Sequence, residues 1–251
     1  MQGSPFDAWF TANTAVWLLV TARAAGVCLT APVLAAPGLD LRFRVVLAVL
    51  LGAWLAPVVT PLVVSPESSR AIVWLVLNEL LIGALIGWSA SLIVAAARQA
   101  GDIVAAQSGM STSALFDPDT GEELTALGHL YGLIALATFL AVDGPLVMAE
   151  AMIESFKTIP AGRLVFERAT ADLVFGQAAD ALALAVRAAA PPAVALAAAG
   201  VALGWLGRLA PSVPLMTLSL PIRAALGVLL VSASLATLIV CLTNAWSGWG
   251  V

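Results

Sequence analysis

Charge is scarce in this chain. Only 10% of its 251 residues are ionic, against about a quarter in ordinary soluble domains. Lysine occurs once, at Lys157, and histidine once, at His129; the remaining bases are arginines, with no cationic run anywhere. That excludes the electrostatic footprint of a nucleic-acid binder and the charge-rich composition of a disordered chain. Cysteine is limited to Cys28 and Cys241, each inside an apolar run, so neither a disulfide framework nor metal-ligand spacing is available and both read as small core-packing thiols. Phosphate-binding and dinucleotide glycine loops, HExxH, CxxC and GxSxG are all missing. No catalytic residue, cofactor or metal is therefore expected, and the chain does not read as an enzyme. The start, Met1–Asp7, holds an acid and no base, unlike the cationic opening of a cleaved signal peptide, so the first apolar run is expected to stay as a membrane segment.

What fills the space is apolar: 61% of the residues, with a formal net charge of -4. So much apolar surface beneath so few ionic groups describes an integral membrane protein. Six runs approach the roughly 20 residues that cross a hydrocarbon layer: Ala8–Ala31, Val45–Val64, Ala71–Ala97, Leu124–Met148, Ala181–Gly207 and Leu215–Asn244. Nothing ionic interrupts the chain from Arg44 to Glu67, Glu79 to Arg98, Glu123 to Asp143, Arg187 to Arg208, or after Arg223. Alternating strand patterning is absent, which argues against a barrel. The expectation is an all-α protein of about six helices. With six spans the loop bases divide evenly, Arg42, Arg44, Arg98 and Arg208 against Arg70, Lys157, Arg163 and Arg168, so the positive-inside rule gives no orientation.

Four ionic residues, Arg23, Glu79, Arg187 and Arg223, sit well within apolar runs. Each costs about 2.5–3.5 kcal/mol at a lipid-exposed helix centre, so they should face protein, water or one another. Arg23 and Arg223 lie near helix ends or prolines, where snorkelling brings a guanidinium to the interface. Glu79 is deeper, and either an inter-helix contact or a partly solvated position near a helix end fits it. Prolines at 57 and 61, at 191 and 192, and at 211, 214 and 221 are expected to break the helices. Ala193–Gly207, taken as an unbroken piece, reaches only about 22 Å. Two GxxxG pairs, Gly83/Gly87 and Gly200/Gly204, with Glu79 beside the first, are candidates for close helix packing. Asp143-Gly144-Pro145 reads as a helix break. An amphipathic helix follows, with Ala149, Met152, Ile153 and Phe156 on one face and Glu150, Glu154 and Lys157 on the other. It ends at Ile159-Pro160-Ala161-Gly162, and it suits either an interfacial connector or a partner-binding role.

The stretch 98–123 is different: long, rich in small polar residues, closing on Phe116-Asp117-Pro118 and the acids Asp119, Glu122 and Glu123. Pro118 biases Asp117 away from helical geometry. Gln107, Ser108, Ser111, Thr112 and Ser113 offer hydrogen bonds without charge, suited to a wet passage or a tight subunit seam.

At this stretch the chain resembles the FliR family, the flagellar biosynthetic protein of the type III export gate. Similar segments are Thr30-Ala-Pro-Val-Leu34 with Arg42-Phe-Arg44; Asn78-Glu-Leu-Leu-Ile-Gly-Ala-Leu-Ile-Gly-Trp88; Ala100-Gly101, Gln107, Gly109-Met110-Ser111 and Phe116-Asp117-Pro118; Asp143-Gly144; Pro160-Ala161-Gly162; and Gly207-Arg208-Leu209-Ala210-Pro211. Ser108 departs from the bulkier methionine usual in flagellar members. The resemblance implies a non-enzymatic subunit of a helical hetero-oligomeric core complex at the flagellar basal body, in the bacterial inner membrane. Two sister export-gate membrane proteins, other export apparatus subunits, membrane lipid and unfolded flagellar cargo are its implied partners. It further implies an N-terminal part, 1–165, built like one sister and containing the polar 98–123 loop, and a C-terminal helical hairpin, 166–251, built like the other. Gln107, Gly109, Met110, Ser111, Phe116, Asp117 and Pro118 would form a gate loop facing the closed channel. An equivalent subunit of a virulence injectisome is the first alternative; a small-molecule transporter, suggested by broken helices and Glu79, is the second.

Overall fold

A computed structural model describes residues 14–34, 39–59, 69–110, 115–116, 123–161, 168–209 and 215–249. Among these the chain is helical apart from one two-residue pairing. The helices are α1 (Thr14–Thr30), α2 (Leu41–Val59), α3 (Ser69–Ser108), α4 (Ala126–Ala141), α5 (Gly144–Thr158), α6 (Arg168–Leu209) and α7 (Leu215–Ser247). Between α3 and α4, β1 (Leu115–Phe116) pairs antiparallel with β2 (Glu123–Leu124), Leu115 opposite Leu124 and Phe116 opposite Glu123. Apolar runs without charges form helices here because every backbone donor and acceptor must be satisfied within the segment once water is excluded.

The helices differ from the sequence expectation in three ways. First, four of them are long and apolar enough to cross a membrane, and the pair α4 and α5, if counted as one broken span, makes a fifth. Of the expected first span, the 17 residues of α1 are described as helix, and 8–13 lie outside the described residues. Second, of the prolines expected to break helices, the four that are described do not end them, while those at 61, 211 and 214 lie outside the described residues; α5 does end just before Pro160, as expected. Pro57 lies inside α2, Pro191 and Pro192 inside α6, and Pro221 inside α7. A proline inside a helix costs on the order of 3 kcal/mol; ending the helix within an apolar run would strand several backbone groups at once, which costs more. The isolated short piece expected after Pro192 is thus part of a 42-residue helix, about 63 Å long. Third, α3 continues through Arg98 to Ser108, so the polar loop begins eleven residues later than expected and Arg98 is a helix residue, not a loop charge. Ala97, Ala100, Gly101, Val104, Ala105 and Ser108 are all buried on that extension, the three-and-four spacing of a packed helix face.

The chain forms two compact units, each interleaved along the sequence. One contains residues 1–91 and 143–175, the other 92–142 and 176–249. In the first, α1 and α2 pack together around Leu19, Val20, Ala24, Cys28, Leu55, Ala56 and Val59, with Met152 and Phe156 of α5 also buried. In the second, Tyr131, Ala135 and Phe139 of α4 and Leu238, Leu242 and Trp246 of α7 are buried, the rings of Phe139 and Trp246 lying 4.7 Å apart. Cys28 is buried and Cys241 half-buried, both as free thiols. Val142 and Asp143 form the expected break. Asp143 adopts a left-handed conformation (φ 55°) ahead of Gly144 and Pro145, a region aspartate tolerates better than most residues.

Candidate functional site

Chemistry-bearing side chains gather at two places, one in each unit. In the first unit the gathering point is ionic. Arg23 of α1 donates from Nε to Glu79 Oε2 of α3 at 2.7 Å, and both side chains are wholly buried. Its Nη1 donates to Ser155 Oγ at 2.9 Å, and its Nη2 to the carbonyl oxygen of Ile159 at 3.1 Å. The guanidinium also lies over the Phe156 ring, 3.9 Å from its centroid. One cation thus ties three helices, and it does so at the C-terminal end of α5, where unpaired carbonyls favour positive charge. Snorkelling is not what Arg23 does here. The two charges offset each other's desolvation, the condition under which a buried pair is tolerable.

Glycines make that pairing reachable. Glu79, Gly83 and Gly87 share one face of α3, and Gly26 faces them from α1. A Cβ at Gly83 would collide with the carbonyl of Arg23. One at Gly26 would collide with the Leu80 carbonyl and come within 2.6 Å of Ala84 N, and one at Gly87 would meet the Thr30 hydroxyl and Ala31 N. The two backbones touch. Thr30 Oγ1 seals the crossing, donating toward the carbonyls of Gly26 and Ala84, each at 3.0 Å. The other GxxxG pair has different surroundings: Gly200 faces the Arg223 guanidinium, and a Cβ at Gly204 would meet nothing within 4 Å. Arg223 is half-buried, and its Nε has no hydrogen-bond partner among the described residues. Arg187 is exposed, as is His129.

In the second unit α3 and α4 form another close seam. A Cβ at Gly101 would reach the Leu127 backbone, one at Gly128 the Asp102 carboxylate, and one at Gly132 the Arg98 side chain. Thr125 caps α4: its hydroxyl accepts from Gly128 N at 2.9 Å and donates to Asp102 Oδ1 at 2.6 Å. A carboxylate near a helix N-terminus is favourably placed. Removing the hydroxyl with Thr125→Ala should cost about 1 kcal/mol. Thermal unfolding of the detergent-extracted protein checks this, and Thr125→Ser should retain most of the stability.

The segment expected to form a gate loop begins where this seam ends. Gln107 is exposed and Ser108 buried; Gly109 then leaves the helix with φ 75°, and Met110 follows half-buried. A glycine in the left-handed region is the usual helix terminator, since side chains are disfavoured there. The backbone of Phe116 lies in β1, paired with Glu123, which draws together the two ends of the stretch 117–122. Ser111, Asp117 and Pro118 lie outside the described residues.

Sequence reasoning missed three features. It singled out Arg23 and Glu79 without joining them, passed over Gly26, and left Asp102 inside a presumed loop. Two opposite charges, each intolerable alone in an apolar run, were the available signal for the first.

The model of the family described as bacterial export proteins, family 1, matches residues 14–248. The chain is 31% identical over 208 residues to the flagellar biosynthetic protein FliR of Pectobacterium carotovorum subsp. carotovorum, covering 80% of this chain and 76% of that protein. It is 28% identical over 222 residues to FliR of Escherichia coli (strain K12), covering 88% and 84%. Against the Yop proteins translocation protein T of Yersinia pestis it is 27% identical over 155 residues, covering 61% and 59%.

Proposed function

The chain belongs to the bacterial export proteins, family 1, and from that membership we propose that it is a non-enzymatic, structural subunit of the flagellar type III export apparatus. It resides in the bacterial inner membrane at the flagellar basal body, among other export apparatus subunits. Its two sister membrane proteins complete the gate with it, and unfolded flagellar subunits pass through. The C-terminal helices, 166–251, act as a hairpin module distinct in role from the N-terminal part, 1–165. The flagellar reading is favoured over the injectisome one because the two FliR relatives align over 80% and 88% of this chain, against 61% for the Yop protein.

Within the gate, the segment from Gln107 to Pro118 forms part of the seal. The observation supporting this is the abrupt change at Gly109. A tightly packed helix stops there and gives way to a stretch rich in small, uncharged polar residues, its N-terminal side held by the α3–α4 glycine seam. Such a segment is ill-suited to lipid, and a rigid flank suits a plug that must stay in register. Glu79, Gly83 and Gly87 maintain the packing of α3 against α1 in the first unit, while Gly200 and Gly204 offer a small-residue surface to neighbouring subunits. Deleting or enlarging the 107–118 segment should make the assembled gate leak small solutes, read as dye release from vesicles carrying the purified complex. Unchanged permeability in a fully assembled complex would overturn the sealing role. Mass determination of the complex captured through a tag on this chain should return a hetero-oligomer; a functional monomer would overturn the structural role.

A further inference from the structure

We propose that Ser108 and Gly227 are a positioning pair that seats the root of the 107–118 segment on α7. This proposal deepens, and rests on, the sealing reading above. Ser108 is the last residue of α3 and is fully buried. Its hydroxyl turns back to the Ala105 carbonyl at 3.0 Å, so the side chain presents its Cβ outward as a small knob. That knob stands against Gly227 of α7, where a Cβ would lie 2.6 Å from Ser108 Cβ and 3.3 Å from its Oγ. Not even a methyl group fits. The next residue, Gly109, makes the left-handed turn into the segment, so this contact fixes the chain one residue before it changes direction.

Two further contacts within the same unit close a ring. Asp102 of α3 holds Thr125 at the start of α4, and the ring of Phe139 of α4 packs tilted against that of Trp246 of α7. The Ser108–Gly227 contact completes the circuit from α7 back to α3. Ser108 before the turn and Thr125 at the start of α4 are thereby held on one three-helix frame, and the Ser108 contact is the part of that frame nearest the turn. Packed contacts of this kind have discrete arrangements rather than a continuous range. A displaced knob therefore shifts Gly109, where the chain turns.

The test moves the knob from one side to the other. Ser108→Gly removes it, Gly227→Ala crowds it, and the double variant Ser108→Gly/Gly227→Ala restores one small group at the contact. Purified complexes are checked for composition by mass, and dye release from vesicles is measured, with the 107–118 deletion as reference. Each single variant should raise the leak by about fivefold or more, and the double variant should return it toward the parent level. Ser108→Gly cannot fail by overcrowding, so it decides the question even if Gly227→Ala does not assemble. A double variant as leaky as the singles, or single variants as tight as the parent, overturns the positioning role. If the deletion leaks and these variants do not, the seal stands and the seat falls; if the deletion itself is tight, the sealing reading has failed.

Discussion

Arg23→Leu should destabilise the protein by about 3–5 kcal/mol, and Glu79→Leu by a similar amount, because each leaves one charge buried without its counterion. The double variant Arg23→Leu/Glu79→Leu should lose far less than the sum, since no orphan charge remains. Arg23 carries more than the ion pair. Its two other donors hold Ser155 Oγ and the Ile159 carbonyl, so the Arg23 single variant also frees the end of α5. The double variant should accordingly retain a residual loss from that end alone, whereas Glu79→Gln, which keeps an acceptor for Arg23 Nε, should be the mildest of the single variants. Denaturant unfolding of the detergent-extracted protein measures all four. Additive losses in the double variant would show that the two residues act independently. The exposed Lys157–Glu154 contact provides the contrast: Lys157→Ala should change stability by less than about 1 kcal/mol.

How far the sequence reaches into this structure depends on what each feature requires. Helix positions follow from gaps between charges, and the break at Asp143 follows from an aspartate-glycine-proline triplet, both local properties. The end of α3 was illegible for a physical reason. Arg98–Ser108 contains an arginine, two glutamines and an aspartate, which reads as a departure from membrane, yet alanine and valine at three-and-four spacing still bury one face. Composition and periodicity disagreed there, and packing against α4 decided for periodicity. The prolines misled in the opposite way. Their local cost is real, but the cost of opening a helix within an apolar run is larger. The Arg23–Glu79 pair joins positions 56 residues apart, and no local rule reaches that distance. The two GxxxG pairs show the limit of motif reading: they share one spacing, yet one lies against another helix's backbone and the other faces a guanidinium and open space. The partner that decides the difference, Gly26, belongs to no motif.

Those unequal surroundings make the second large effect. Gly83→Ala should be among the most damaging single-methyl additions in the chain. Overpacking a core usually costs about 1–3 kcal/mol because a flexible neighbour swings aside. At Gly83 the neighbour is the backbone of Arg23, which cannot move unless α1 moves with it. A shift of α1 away from α3 lengthens the 2.7 Å contact between Arg23 and Glu79, so the substitution pays twice, once in crowding and once in a weakened buried ion pair. Its cost should therefore reach or exceed about 3 kcal/mol. Gly26→Ala, on the other side of the same crossing, should match it, and Gly87→Leu should impair assembly of the complex by the same crowding. Gly204→Ala should leave the stability of the extracted chain unchanged within about 0.5 kcal/mol; if it nevertheless prevents co-purification with other subunits, the surface around Gly204 is covered in the assembly. The mechanism for Gly83 makes one further demand. In an Arg23→Leu/Glu79→Leu background there is no ion pair left to stretch, so Gly83→Ala should cost less there than in the parent. Equal costs in the two backgrounds would mean that the glycine crossing and the charge pair are separate devices that happen to share a helix face.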